Sequence, residues 1–315
     1  MTGIRSRRAL RPTPSLILIA WALLLLAWPD AAWAVKNLTV AKSGGGSGTV
    51  TTAPAGIDCG STCSAAFADG TRVTLTAAPA APSGFDGWLG APCRGNGPCT
   101  LDMLDDYSAI AAFNPDSDAD NSSDTVENAG PYGGDGNQNG VRDSTEANVA
   151  TLKSIEYVYT TLVSETGTQL AQVNAQENPS PADNPKDPYF PYGFFGFSVQ
   201  GLNAGDSTVV TMILHYPLAI TTYFKYGPTP DNPVPHWYEF VHDGRTGARI
   251  RLFTDATVIY LYLMDGERGD DDLAANGTIT DVGAPGARAE DTARLKDGSG
   301  GGGGGGCFIN SVPAP

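Results

Sequence analysis

Residues 115–148 limit the fold of this chain more than any other stretch. Asp, Asn, Gly and Ser crowd a segment with few apolar side chains, a composition that cannot form a packed core unaided. The chain is therefore expected to consist of folded modules on either side of an acidic linker. At 315 residues, 41% hydrophobic, with 39 Gly and 23 Pro, it has length for about two loop-rich domains.

The acidic residues of that linker are regularly spaced. Asp116, Asp118, Asp120, Asp124 and Glu127 occupy positions 1, 3, 5, 9 and 12 of one twelve-residue window. Asp135, Asn137, Asn139, Asp143 and Glu146 repeat the pattern, with Gly140 at position 6. This is the spacing of an EF-hand-type calcium loop. Calcium is a hard cation that takes about six to eight oxygens at about 2.3–2.6 Å, so a short loop must turn sharply to aim alternate side chains at one centre. The backbone carbonyls of Ser122 and Val141, at position 7, would complete the two sets. Asn121 stands where glycine is usual, and Asn tolerates the left-handed conformation required there. The second window has only three acids, so its smaller charge implies weaker binding. Flanking helices are not evident. The two windows resemble thrombospondin type 3 or dockerin-like loops, in which alternate aspartates wrap calcium in an irregular segment. The competing reading is a solvated acidic linker.

Upstream, short alternating runs at 38–40, 48–50, 72–76 and 109–113 are punctuated by Gly and Pro, which predicts a compact all-β module over residues 35–114. Phe85 and Trp88 are sized to plug a small core. Cys59 and Cys63, and Cys93 and Cys99, form two tight pairs. Three pairings are open; in an oxidising compartment, proximity favours the two local disulfides. The rival is a four-thiolate zinc site, disfavoured by export and by the absence of nearby His. The strings at 38–43, 46–50 and 56–60, followed by Cys63, residues 85–88 and the Cys93 to Cys99 loop, resemble the divergent internalin-type B repeat of bacterial surface proteins. That resemblance implies a non-catalytic stalk or spacer module.

Downstream, runs at 155–159, 194–199, 207–214, 221–226 and 257–263 predict a larger β-sandwich over 149–284. An acidic string at 265–272 is followed by Asn276-Gly277 and Asp281. Together with the segments 223–227, 237–240 and 243–247, it resembles the choice-of-anchor U domain of Gram-negative exported proteins. The resemblance implies a domain standing before a C-terminal sorting signal. The hydrophobic helix and basic cluster of such a signal are not seen after it. The clustered carboxylates can hold another cation or form a tight charged turn. Arg268-Gly269-Asp270 is read as a chance tripeptide. Residues 285–315 read as a glycine-rich tether carrying the unpaired Cys307.

Residues 1–34 read as a signal peptide: four arginines, an apolar run over 16–28, and Ala32-Trp33-Ala34 as the cleavage pattern. The run is shorter than the roughly 20 residues needed to cross a bilayer. No transmembrane segment is expected in the mature chain. Without four Arg and one Asp, the mature chain carries 15 basic and 33 acidic residues, a net charge of −18. This argues against nucleic acid as a partner.

Enzyme motifs are missing: there is no His-Glu-x-x-His, no Gly-x-Ser-x-Gly and no phosphate loop. His236 and His242, near Trp237 and Glu239, are the sparse candidates for zinc or base chemistry. Tyr189, Phe190, Tyr192, Phe194 and Phe195 are read as packing residues, with a sugar-stacking platform as the alternative. The expectation is a mainly β, extracytoplasmic, non-enzymatic protein of display or adhesion, with calcium stiffening its linker and a cell-surface glycan or protein as partner. The rival is a carbohydrate-binding or glycan-hydrolysing module using Glu239 and Asp243.

Overall fold

The computed structural model describes residues 34–288, apart from Ala91 and Pro217. The expected signal peptide, Cys307 and the glycine run lie outside the described residues. The fold is mainly β, built as two sandwiches.

The first sandwich comprises β1 (Val35–Ser43), β2 (Gly48–Ala53), β3 (Ser64–Ala68), β4 (Arg72–Pro79), β5 (Ser83–Leu89), β6 (Cys99–Asp102) and β7 (Tyr107–Pro115). One sheet has the order β3-β1-β7-β5 and the other β2-β4-β6. Alternation sets the faces: Leu38 and Val40 point inward from β1, and Val73 and Leu75 do so from β4. Phe85 meets Trp88 edge-on at 5.1 Å and Phe113 at 5.2 Å, and the indole N–H of Trp88 donates to the Gly97 carbonyl at 2.8 Å. The cysteines pair locally as Cys59–Cys63 and Cys93–Cys99, so a four-thiolate zinc site does not form.

The second sandwich contains β8 (Val149–Lys153), β9 (Tyr159–Val163), β10 (Gln169–Gln176), β11 (Pro188–Tyr189), β12 (Phe194–Gln200), β13 (Ser207–Leu214), β14 (Thr222–Thr229), β15 (Asn232–Glu239), β16 (Gly247–Leu252), β17 (Thr257–Met264) and β18 (Ile279–Arg288). Its sheets run β10-β12-β18-β14-β15, with β11 on β18, and β16-β17-β13-β9-β8. Val210, Met212 and Leu214 of β13 and Ile259, Leu261 and Leu263 of β17 fill the core against Tyr192, Phe195 and Phe197. Two expectations need correction. Residues 155–158 are a turn between β8 and β9, closed by the Ser154 N–H on the Val158 carbonyl, with Tyr157 at φ 61° and 67% exposed. Residues 285–288, expected to belong to the tail, are instead part of β18, which pairs there with β11 and β14.

The acidic segment is not a free spacer between these sandwiches. It contains a short helix α1 (Asp124–Asn128) and single 3₁₀ turns at Pro131–Gly133 and Asp143–Thr145. Asp116, Asp120, Ser122, Ser123, Glu127, Asp143 and Ser144 are buried. Val173 of β10 donates its N–H to the Asp120 carbonyl at 2.9 Å, and Ser122 Oγ donates to the Thr151 carbonyl of β8 at 2.6 Å. The first sandwich also touches β10 directly: the Asn96 and Gly97 N–H groups donate to the Ala175 carbonyl, and Asn96 Oδ1 accepts from the Ala175 N–H. Asn96 lies in the loop closed by the Cys93–Cys99 disulfide.

Candidate metal centre

The two twelve-residue windows fold alike. Positions 4 and 6 have positive φ in both: Ala119 (68°) and Asn121 (86°) in the first, Gln138 (59°) and Gly140 (91°) in the second. The position-1 aspartate gathers the backbone of the turn in each. Asp116 accepts the N–H groups of Ala119 and Asn121 at 2.8 and 3.0 Å, and Asp135 those of Asn139 and Gly140, both at 2.9 Å. Position 5 accepts from the N–H of position 7 in each case, Asp120 from Ser122 and Asn139 from Val141. Each loop leads into a short helix or 3₁₀ turn, which the sequence pattern does not reveal. Asn121 differs from glycine for a reason outside its loop: its side-chain amide donates to the Val173 carbonyl of β10 at 2.8 Å.

In the first loop, Asp116, Asp118 and Asp120 each bring one carboxylate oxygen within 4.8 Å of the others. Both oxygens of Asp118, Oδ2 of Asp120 and Oε2 of Glu127 are buried without a hydrogen-bond partner. Buried carboxylate oxygens without donors are costly, and adjacent ones repel. The carboxyl of Asp118 is pushed up to about 7 by burial and by Asp116. Burial, and then Asp118, push Asp120 well above the usual carboxylate range. Glu127 rises to about 11 through burial and then Asp120 and Asp118. Asp124, at position 9, is directed elsewhere, accepting from the N–H and hydroxyl of Ser117 at 2.8 and 2.7 Å.

The second loop is less assembled. Asn137 Oδ1 accepts from the Asn139 N–H at 3.1 Å, and the Asn139 amide donates to Glu146 Oε1 at 2.8 Å, leaving Glu146 Oε2 buried and unpartnered. Val141 is exposed. Asp143 is buried; its Oδ2 accepts from the Gly136 N–H and the Thr151 hydroxyl, its Oδ1 has no partner, and burial raises its carboxyl.

Thr151 of β8 is the participant that sequence reasoning missed. Its N–H donates to Glu127 Oε1 at 3.1 Å, its hydroxyl to Asp143 Oδ2 at 2.6 Å, and its carbonyl accepts from Ser122. One strand residue of the second sandwich thus orients acids from both loops. Nothing in the spacing of the acids points to it, because the link is tertiary.

The other candidate groups make local contacts, although Oδ1 of Asp265 and Oδ1 of Asp271 are also buried without a hydrogen-bond partner. In the second acidic string, Asp265 accepts the N–H groups of Gly205 and Gly277, Asp270 those of Gly266 and Thr280, and Asp272 that of Ala274. Arg268 donates to the Val241 and Thr246 carbonyls and pairs with Asp243 at 3.0 Å, so it is not displayed as part of a recognition tripeptide. Glu239 accepts from the Thr222 hydroxyl and pairs with Arg288 at 2.7 Å. Tyr192, Phe194 and Phe195 are core residues; Tyr189 is 57% exposed, and Phe190 stacks on Trp237 at 5.8 Å. His236 and His242 make separate local contacts, with Val234 and Tyr262 respectively. Comparison with family models, curated proteins and solved structures finds no match to this chain.

Proposed function

We propose that residues 116–146 form a double calcium loop that fixes two β-sandwiches in one geometry, in an exported, non-enzymatic protein of display or adhesion. The observation that carries this reading is the set of buried, donor-free oxygens on Asp118, Asp120 and Glu127. A divalent cation would neutralise the charge they crowd together and supply the bonds they lack. The Ser122 and Val141 carbonyls, with Asp116 and the second loop's Asp135, Asn137, Asn139, Asp143 and Glu146, complete the donors assigned to two ions. Because both loops are tied to β8, and the first also to β10, ion binding would stiffen the junction of the sandwiches.

The affinities to internalin-type repeats, thrombospondin type 3 loops and choice-of-anchor U domains belong to the same proposal. So do a Gram-negative cell-surface location and a glycan or protein partner there. Two disulfides suit an oxidising compartment. Among the described residues, no helix is long and apolar enough to cross a membrane. Limited proteolysis tests the mechanical role. In millimolar calcium the segment 116–146 should resist cleavage, and in EDTA it should be cut while both sandwiches survive. Equal cleavage in the two conditions would refute the stiffening.

A further inference from the structure

The second sandwich buries a lysine. Lys225, on β14, is 0% exposed, and its ammonium lies 3.0 Å from Asp281 Oδ2 on β18 and 3.9 Å from Asp271 Oδ1. The strands are antiparallel neighbours with Lys225 opposite Gly283, so Lys225 and Asp281 emerge on the same face. Asp271 is held beside them by its N–H on the Thr280 carbonyl.

As an ion pair this arrangement is poorly supported. The ammonium also donates to the Gly269 carbonyl and sits 5.1 Å from the Phe240 ring centre. Asp281 is wholly buried, and neither of its oxygens has a hydrogen-bond donor apart from that ammonium. The hydroxyls of Tyr223 and Tyr238 are buried nearby, both without partners. A buried ion pair offsets its desolvation only when further hydrogen bonds satisfy both groups. Here they do not, whereas an amide would remove both charges.

We propose that Lys225 and Asp281 condense to an intramolecular amide, with Asp271 as the proton carrier. Asp271 accepts a proton from the ammonium, and the freed Nζ attacks Cγ of Asp281. The Nζ–Cγ bond forms, Nζ gives up a second proton to Oδ2, Asp271 returns the first proton to the same oxygen, and the Cγ–Oδ2 bond breaks as that oxygen leaves as water. One ammonium and one carboxylate become one amide and one water, so no oxidant or further reactant is needed. Burial suits Asp271 to its task by pushing its carboxyl up to about 7, although Lys225 pulls the other way. Burial also raises the carboxyl of Asp281, although Lys225 opposes it. Burial lowers the Lys225 ammonium in turn, but the groups around it, Asp281 first, more than offset this and hold it above its usual range, so the proton transfer to Asp271 is the uphill step.

The test is peptide mass spectrometry on the full chain, purified and digested after reduction. The expected product joins the peptide holding Lys225 to the one holding Asp281, lighter by one water than the two together. Lys225→Arg keeps a buried cation and should leave the peptides separate. Asp271→Asn should slow linkage by roughly 100-fold or more, the scale of a lost general acid and base. Wild-type peptides recovered separately at full mass would overturn the proposal whether or not either variant folds. Linkage in Asp271→Asn at the wild-type rate would overturn the role given to Asp271.

Discussion

In EDTA the protein should melt at a higher temperature at pH 5 than at pH 8, and millimolar calcium should raise the transition far more at pH 8. The sign follows from the first loop. Asp118, Asp120 and Glu127 all have carboxyls raised by burial and by one another, so the folded metal-free protein binds protons more tightly than the unfolded chain. Stability is therefore fullest below the ordinary carboxylate value. For Asp118 it is lost as pH rises from 3.8 to about 7. Calcium would replace those protons and reverse the penalty where they are absent. At a calcium concentration about 100 times the dissociation constant, the gain is about 2.7 kcal/mol, roughly 5–10 °C for a chain of this size. His215 acts in the opposite sense, since burial lowers its pKa and its contribution falls away as pH drops through 6.5. It does so with and without calcium, so the difference between the two melts isolates the loop. Equal melting temperatures with calcium and EDTA at pH 8 would count against the site.

The second large effect is expected from Glu127→Gln, which should behave oppositely in the two conditions. Glu127 is raised to about 11, so the metal-free protein holds it protonated at neutral pH, and glutamine resembles that state. In EDTA the variant should match the wild type or exceed it, keeping an acceptor for the Thr151 N–H. In calcium it loses the carboxylate that closes the loop, and affinity should fall on the order of 100-fold. A variant equally unstable in both conditions would assign Glu127 to packing alone.

Much of this was legible in the residues. Strands β13 and β17 follow from alternation, and the local disulfides from cysteine proximity. Other strands were hidden by their punctuation. β15 carries Pro233 and Pro235, which an edge strand tolerates because its outer N–H groups pair with nothing. β18 contains Gly283, Pro285 and Gly286 and reads as loop, yet Gly283 is required, since a Cβ there would lie 2.5 Å from the Tyr223 ring. In the loops, spacing located the acids but not their burial, which comes from packing on β8 and β10. Thr151 was invisible for that reason. Position 6 was read correctly as left-handed, but the reach of Asn121 to Val173 needed the tertiary fold.

Isothermal titration of the full chain with calcium chloride tests the central claim most directly. Heat of binding to the wild type, lost from the first site in Asp120→Ala and Glu127→Gln while the second loop still responds, is the predicted result. No heat at millimolar calcium from a folded wild-type protein would contradict it.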